Sequence, residues 1–384
     1  MPTISIARRL GVLLMFGCLC ASCDPLNGPA GDGPVQWSAD IASPTTRPAI
    51  LDSTVIYGGG NGFVYAHSAT DGRLKWQRQI STGIVGTNVQ SVDNLAIVPQ
   101  WDLWALDVGS GDVVWRFAGP DSAAGAHNPA VSGDTVFTVS PFGWVSSVNA
   151  ADGTAYWSVD LGEAPFEPVV GDDLVIYGTR GFLGGPQQGP LGAGHIIALR
   201  RSNGTEAWRV PLPDVDGFDV SGGSLSGGVI WQDLVIVGVV GGRSLGIHLA
   251  DGSVAWEQSA DRPPPEGGYR LSPVMLGDVV VLARQDRVAE GRNPNDGLLL
   301  WAVQLPIGDT PPESAGSLGY LVSGSIAVFD SMGDVRWSFG GLTLQGGISF
   351  FFPKTVSDGT MFVYGRPGGG AQSVLYSMQP PVLP

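Results

Sequence analysis

Cysteine is missing from almost the whole of this 384-residue chain. The three cysteines, Cys18, Cys20 and Cys23, lie close together near the N-terminus. The rest of the sequence therefore forms no disulfide and offers no thiol for catalysis or metal binding. A chain of this length can instead bury enough apolar surface to remain folded unaided.

Basic residues are also scarce. Lysine and arginine number 20 against 35 aspartates and glutamates, which gives a formal net charge of −15. Nucleic acid binding requires a basic surface, so no nucleic acid partner is expected. Electrostatic attachment to anionic lipid is disfavoured for the same reason, and membrane association would require an acyl anchor.

Motifs that carry chemistry are absent as well. The four histidines form no His-x-x-x-His pair, so the sequence predicts no transition-metal site. No Gly-x-Ser-x-Gly elbow has plausible catalytic partners. The glycine-rich runs join one strand-like segment to another and are interpreted as turns rather than phosphate-binding loops. These patterns favour a non-catalytic protein.

What the chain does contain is a repeat. Eight tryptophans each stand four residues after a glycine, and successive tryptophans are separated by 36 to 51 residues. The pairs are Gly33/Trp37, Gly72/Trp76, Gly111/Trp115, Gly153/Trp157, Gly204/Trp208, Gly252/Trp256, Gly297/Trp301 and Gly333/Trp337. This period is typical of a propeller in which each repeat forms one four-stranded blade.

The second repeat shows the pattern most clearly. It predicts strands over residues 84–90, 95–98, 103–107 and 112–115, separated by turn residues. β-Branched and aromatic runs equivalent to its second strand recur in the other repeats. They are Thr54–Tyr57, Thr135–Thr138, Leu174–Tyr177, Leu234–Val237 and Val279–Leu282.

The first and last repeats are each incomplete. Residues 360–364 and 373–378 predict strands that no Gly-x-x-x-Trp follows, whereas Trp37 has no inner strands before it. Joining the two halves completes an eighth blade and leaves no open sheet edge between the chain ends. The sequence therefore predicts an all-β protein, a single eight-bladed propeller of four-stranded antiparallel blades whose last blade is closed by the N-terminal strand.

The segment from Ala105 to Trp115 closely resembles the tryptophan-docking motif of the PQQ-like repeat family, Ala-x-Asp-x-x-Thr-Gly-x-x-x-Trp. Other copies are looser: alanine recurs in three of them, and serine or glycine stands there in three more. These positions are Ala66, Ala198, Ala327, Ser147, Gly246 and Gly291. The resemblance implies one of two kinds of protein, quinoprotein dehydrogenases or non-enzymatic lipoproteins of the BamB type that act in outer-membrane protein assembly.

The resemblance to quinoprotein dehydrogenases implies two bound groups, PQQ and calcium. In those enzymes a disulfide between adjacent cysteines lies over the PQQ, and Glu, Asn and Asp side chains bind the calcium. This chain has no cysteine pair in its repeats. Exposure to solvent is the ordinary explanation for the carboxylates in its loops. The carboxylates considered for such a site are Asp102, Glu163, Asp214, Asp216, Asp219 and Glu266. We therefore expect no cofactor and no metal.

The N-terminus predicts export. Arg8 and Arg9 precede an apolar stretch too short to span a membrane, and small residues follow it. The segment ending at Cys23 resembles a bacterial lipobox, so residues 1–22 are interpreted as a lipoprotein signal peptide, 23–31 as a flexible tether and 32–384 as the propeller. Cys23 would carry the lipid; the alternative is an ordinary cleaved signal. The expected location is the periplasmic face of a membrane, with the outer membrane favoured and the inner membrane possible.

The three longest repeat spacings are consecutive, and their additional residues contain apolar side chains among glycines and prolines. These side chains are Phe182, Leu183, Phe218 and Tyr269. Loops on rigid scaffolds commonly carry recognition, and aromatic residues commonly anchor it. The four residues are predicted to bind a partner; neutral variation in loop length is the alternative.

Together these observations predict a lipid-anchored, non-catalytic scaffold that binds envelope proteins, including the barrel-assembly machinery. Two alternatives stay open at this stage. One is a PQQ-dependent quinoprotein dehydrogenase, and the other is a surface glycan-binding or adhesive propeller.

Overall fold

The computed structural model describes residues 34–86, 88–120, 127–180, 194–212, 227–239, 242–259, 273–284, 288–304, 313–315, 317–323, 325–340, 348–355, 360–367 and 372–379. All regular elements in these ranges are β-strands. Within them, no helix is long and apolar enough to cross a membrane. The predicted signal peptide and tether lie outside the described residues.

The strands in chain order are β1 (Val35–Ile41), β2 (Ala49–Leu51), β3 (Thr54–Gly58), β4 (Phe63–Ser68), β5 (Leu74–Gln79), β6 (Gln90–Val92), β7 (Leu95–Pro99), β8 (Leu103–Asp107), β9 (Val113–Phe117), β10 (His127–Ser132), β11 (Thr135–Val139), β12 (Trp144–Asn149), β13 (Ala155–Asp160), β14 (Ala164–Pro165), β15 (Val169–Val170), β16 (Leu174–Arg180), β17 (His195–Arg200), β18 (Glu206–Pro211), β19 (Val229–Trp231), β20 (Leu234–Val239), β21 (Arg243–His248), β22 (Val254–Ser259), β23 (Val274–Leu276), β24 (Val279–Ala283), β25 (Val288–Arg292), β26 (Leu299–Gln304), β27 (Glu313–Ala315), β28 (Leu318–Ser323), β29 (Ser325–Asp330), β30 (Val335–Gly340), β31 (Ile348–Thr355), β32 (Met361–Pro367) and β33 (Ser373–Met378).

These strands form eight antiparallel blades arranged in a ring, as the repeat predicted. Blades 1 to 7 are β2–β5, β6–β9, β10–β13, β14–β18, β19–β22, β23–β26 and β27–β30, and blade 8 is β31–β33 with β1. In blade 4 two short strands, β14 and β15, both pair with β16 and together replace a single first strand. First strands of neighbouring blades contact one another, so they line the centre and the fourth strands form the rim.

The N-terminal strand closes the ring. β1 pairs antiparallel with β33, with Trp37 opposite Ser377, and the N–H of Gln379 donates to the carbonyl of Pro34 at 2.7 Å. The seam between blades 8 and 1 is aromatic: Tyr57 and Tyr364 are both fully buried, with ring centroids 5.5 Å apart. The predicted closure by strands from both ends of the repeat array is confirmed.

Adjacent blades are joined by the repeated tryptophans. The indole Nε1–H of Trp76, for example, donates to the carbonyl of Val108 in the next blade at 2.7 Å. Gly111 of that blade has φ of 73°, and a Cβ atom on it would lie 2.6 Å from the Trp76 ring. Glycine is required there both for the left-handed backbone and for the close approach of the ring.

The same indole-to-carbonyl bond recurs at seven interfaces. The donors and acceptors are Trp37 to Ala69, Trp76 to Val108, Trp115 to Ala150, Trp157 to Arg201, Trp208 to Leu249, Trp256 to Pro294, and Trp301 to Ser331. Trp337 stacks on Phe339, with ring centroids 5.7 Å apart. Gly33, which the repeat would place opposite Trp337, lies outside the described residues.

One strand prediction in blade 2 was wrong. Residues 84–86, 88 and 89 belong to no strand, and the first strand begins only at Gln90. Val85 is fully buried and its N–H donates to the carbonyl of Gly59, whereas Ile84 is 63% exposed. The apolar residues thus anchor a connection against blade 1 and do not pair in a sheet.

The motif alignment of blade 7 also needs correction, because Trp337 pairs with Val328 rather than with Ala327. The turn before its fourth strand is one residue shorter than in blade 2. The N–H of Gly333 donates to Asp330 three residues back, whereas that of Gly111 donates to Asp107 four residues back. In blade 2 the partner of the tryptophan lies ten residues before it, whereas in blade 7 it lies nine residues before it. A constant spacing of ten residues therefore selects Ala327 in place of Val328.

Candidate protein-binding face

The ring has two distinct faces. Turns between first and second strands, and between third and fourth strands, lie on one side, which we call the turn face. Hairpins between second and third strands, and the connections from one blade to the next, lie on the other side, the loop face. Hydrogen bonds join these two kinds of segment on the loop face, such as Ile80 to Gly62, Leu161 to Gly143 and Leu212 to Gly194.

The three long insertions all connect strand ends on the loop face. The first joins β16 to β17, the second joins β18 to β19, and the third joins β22 to β23. The predicted partner-binding residues Phe182, Leu183, Phe218 and Tyr269 belong to these segments and lie outside the described residues. Their role remains a prediction, to which the fold adds that all three insertions begin and end on one side of the ring.

Two aromatic side chains are exposed on the same face. Trp101 lies in the β7–β8 hairpin of blade 2 and is 49% exposed, and Phe142 lies in the β11–β12 hairpin of blade 3 and is 53% exposed. Ile84, in the connection leading into blade 2, is 63% exposed. Large apolar side chains held in water at neighbouring blades are the kind of surface that anchors a protein partner.

The hairpins that carry these aromatics are well braced. In blade 2, Asp102 is buried beside Trp101 and forms an ion pair with Arg116 on β9. The Arg116 guanidinium lies 5.1 Å from the centroid of the Trp104 ring. In blade 3, the backbone N–H of Phe142 donates to Ser140 Oγ at 3.1 Å. The exposed rings are therefore presented by short, hydrogen-bonded turns.

A polar cluster sits on this face beside blade 4. Glu163 Oε1 lies 2.7 Å from His195 Nδ1 and 2.9 Å from Arg209 Nη1, and its Oε2 accepts a hydrogen bond from Thr179. Hydrogen bonding and electrostatic attraction to Glu206, followed by attraction to Glu163, raise the pKa of Arg209. The cluster fixes the connection from blade 3 onto strands β16, β17 and β18, so it orders the base from which the first long insertion departs.

Of the carboxylates considered for a calcium and PQQ site, Asp102 and Glu163 are not brought together, and Asp214, Asp216, Asp219 and Glu266 lie outside the described residues. Asp102 and Glu163 lie on different blades, and each is bonded to a cationic partner. In the described part of the chain, no group of three or more His, Cys, Asp or Glu side chains could hold a metal ion. Of the other histidines, buried His67 bonds to the carbonyl of Gly72, and His248 pairs with Asp233 at 3.1 Å.

Sequence reasoning did not single out Trp101 and Phe142 as exposed aromatic residues. Trp101 does stand outside the repeat of the eight docking tryptophans, which could have marked it as a residue without a place in the core. Phe142 is flanked by Pro141 and Gly143, a turn context that indicates exposure. Neither signal distinguishes an exposed aromatic from one that folds back onto its hairpin.

Comparison with known proteins agrees with this architecture. The chain is 22% identical over 269 residues to the outer membrane protein assembly factor BamB of Yersinia pestis, a match covering 66% of this chain and 62% of that protein. The aligned part is thus less than two thirds of that relative's length. The crystal structure of BamB from Moraxella catarrhalis superposes with a TM-score of 0.66 at 16% identity, covering 89% of this chain and 98% of that one.

A europium-containing methanol dehydrogenase also superposes, with a TM-score of 0.63 at 14% identity, covering 86% of this chain and 84% of the enzyme. At such identities, likeness to either structure shows the fold alone. The sequence profile of the family described as outer membrane protein assembly factor BamB matches residues 100–339. Because that match spans more than half of the chain, the protein belongs to this family of PQQ-like repeat propellers.

Proposed function

We propose that the protein is a non-catalytic scaffold of the bacterial cell envelope that binds proteins of the outer-membrane assembly machinery through its loop face. The observation that carries the proposal is the exposure of Trp101 and Phe142 on braced hairpins of neighbouring blades. The strand ends that the three long insertions connect lie on the same face. Membership of the BamB family supports assembly work as the context.

We further propose that lipid on Cys23 anchors the protein at the periplasmic face of a membrane, with the outer membrane favoured. Its net charge of −15 disfavours direct adsorption to anionic lipid, so attachment would depend on the acyl chains. Cys23→Ser should move the protein from membrane pellets to the soluble periplasmic fraction. Mass spectrometry that finds wild-type Cys23 unmodified would overturn the anchor.

The binding face is tested by two double variants, Trp101→Ser with Phe142→Ser and Phe182→Ser with Phe218→Ser. Each should weaken capture of barrel-assembly components from solubilised envelopes, as quantified by mass spectrometry, while the melting temperature stays unchanged. Tyr156→Ser is the matched control, because Tyr156 is 52% exposed on β13, away from the loop-face hairpins. Capture that is equal in all four proteins would contradict a loop-face interface.

A quinoprotein dehydrogenase is the second candidate, and it rests on the likeness in fold to the methanol dehydrogenase. The purified protein should show no new absorbance band and no dye reduction after addition of PQQ, calcium and an alcohol. Either signal would favour the enzyme over the scaffold.

A further inference from the structure

The outermost strand of blade 6 differs from the other seven outermost strands in its lack of charge. β26 has the sequence Leu-Leu-Trp-Ala-Val-Gln, without a charged residue. Every other fourth strand carries at least one. These residues are Asp40, Lys75, Arg78, Arg116, Asp160, Glu206, Arg209, Glu257 and Arg336. Charges on edge strands prevent the pairing of one sheet with another, and β26 has no such protection.

The free edge of β26 is also apolar. Exposed and half-buried residues alternate along it, and the exposed ones are Leu300, Ala302 and Gln304. Leu300 is 54% exposed, and Leu298, just before the strand, is 56% exposed. Within its sheet β26 pairs only with β25, so one row of its backbone N–H and C=O groups faces outward from the sheet.

The apolar surface continues onto blade 7. Trp301 docks there by donating to the carbonyl of Ser331 at 2.7 Å. The next residue, Met332, is 72% exposed, and Val335 is 51% exposed. A strand paired with β26 would therefore place side chains of one of its faces beside Met332 and Val335.

The surroundings of this edge are acidic. Asp296 lies in the turn that leads into β26, where it accepts a hydrogen bond from the N–H of Leu298 at 3.0 Å. Asp330 and Asp334 flank Met332 and share a single cation, Arg336. A net negative border favours basic residues in whatever binds, and it opposes pairing with a second copy of a chain that carries a charge of −15.

We propose that β26 is a docking edge for an extended polypeptide segment, with alternating apolar side chains and flanking basic residues, that adds as a fifth strand to blade 6. Outward-facing backbone groups would supply the hydrogen-bond ladder. The side chains on one face of the added strand would lie beside Leu300 and Ala302, and those on its other face beside Met332 and Val335. This surface lies on the rim and does not depend on the loop face, so either proposal can fail without the other.

The probe for the test is a fluorescein-labelled peptide, Lys-Val-Thr-Val-Thr-Val-Thr-Lys, titrated with the full chain and followed by fluorescence anisotropy. Leu300→Lys and Ala302→Lys each introduce the missing charge at an exposed position, so each should raise the Kd by about tenfold or more. Val114→Lys is the matched control, because Val114 is 50% exposed on β9, which already carries Arg116. It should leave the affinity unchanged.

A second peptide, N-methylated at backbone nitrogens of both edges, separates strand pairing from adhesion of apolar side chains. It retains the side chains but cannot complete the ladder, so it should not bind. Equal binding of the two peptides, or equal affinity of the wild type and Leu300→Lys, would overturn the docking edge. Sedimentation that shows wild-type self-association abolished by Leu300→Lys would also overturn it, in favour of a second copy as the occupant.

Discussion

At the scale of single residues, the docking tryptophans make two different kinds of contact. Each of the seven indole rings described above packs against the turn glycine of the next blade and donates a hydrogen bond to that blade's backbone. In blades 5 and 6 the ring also covers a glycine of its own blade. A Cβ atom on Gly291 would lie 2.0 Å from the Trp301 ring, and one on Gly333 would lie 2.6 Å from it. These rings therefore fill the space between two glycines.

Truncation should separate docking tryptophans from exposed ones. Trp115 is 7% exposed and donates to the carbonyl of Ala150 at 2.8 Å, so Trp115→Ala should cost about 3–5 kcal/mol of unfolding free energy. Trp101→Ala should cost at most about 0.5 kcal/mol, because Trp101 is largely exposed. Urea unfolding of both variants measures the difference, and equal losses would show that the repeated tryptophans do not define the contacts between blades.

A buried ionic group in blade 6 provides a second residue-level prediction. Glu290 is 1% exposed and bonds to Arg284 at 2.7 Å and to Arg292 at 2.7 Å, and both arginines are nearly as buried. Glu290→Gln removes the charge that compensates two guanidinium groups, so it should cost about 3–5 kcal/mol in urea unfolding. The control is Glu257→Gln, which removes a partly exposed pair with Arg243 and should cost less than about 1 kcal/mol. Similar losses of unfolding free energy in the two variants would mean that Arg284 and Arg292 do not depend on the charge of Glu290.

His67 should make stability depend on pH. Burial lowers the pKa of His67 below its ordinary value of 6.5. The unfolded chain therefore takes up a proton on acidification before the folded chain does. The stability is complete above about pH 6.5 and falls as the pH decreases below that value.

His67→Leu tests this dependence with a residue that other blades use at the same position, as Leu106 does in blade 2. The variant should lose less unfolding free energy than the wild type between pH 7.5 and 5.5. Parallel losses would assign the acid sensitivity to other groups.

At the scale of secondary-structure elements, β1 is the strand whose loss should cost most. Deleting residues 34–41 leaves β33 paired with β32 alone, exposes its outer edge and opens the aromatic seam around Trp37. We expect aggregation, or a large fall in melting temperature, because a long unpaired edge is exposed. Deleting residues 24–31, within the predicted tether, is the control and should leave the melting temperature almost unchanged. A monomeric, equally stable protein without β1 would contradict its role in closure.

The accuracy of the sequence predictions differed among elements for physical reasons. Strands bounded by turn residues on both sides were located well: Leu103–Asp107 and Ser373–Met378 coincide with β8 and β33. Residues 84–90 were misassigned because apolar residues buried in a connection, such as Val85 and Val89, resemble the apolar residues of a strand. Ala327 was misaligned because a turn shortened by one residue shifts the register without changing the composition.

The candidate binding surface was less predictable than the core for a different reason. Core residues obey a period, which a single sequence displays, whereas exposure depends on how a hairpin packs against its neighbours. Trp101 and Trp104 are separated by two residues, yet the first is exposed and the second packs beside Arg116. The absence of charged residues from β26, in contrast, can be read from the sequence once the fourth strands have been identified.

At the scale of the whole molecule, the closing strand should function equally well at the other end of the repeat array. The N–H of Gln379 contacts the carbonyl of Pro34, so β33 ends beside the start of β1. A permuted protein in which residues 34–41 follow Gln379 through a short glycine-rich turn should keep the circular dichroism spectrum and melting temperature of the wild type. A marked loss of stability would mean that the position of β1 in the chain, and not only in the ring, is required.

The order of export gives that arrangement a further consequence. If the chain crosses a membrane N-terminus first, β1 emerges before all other strands, while β33, its only partner, emerges almost last. β1 then remains unpaired while the strands of seven blades are translocated, and its apolar face can form non-native contacts during that time. Joining such distant segments is also slow, since closing a long loop costs entropy before any contact forms. Pairing of β1 with β33, which closes the finished ring, is therefore expected to be among the last steps of folding after export.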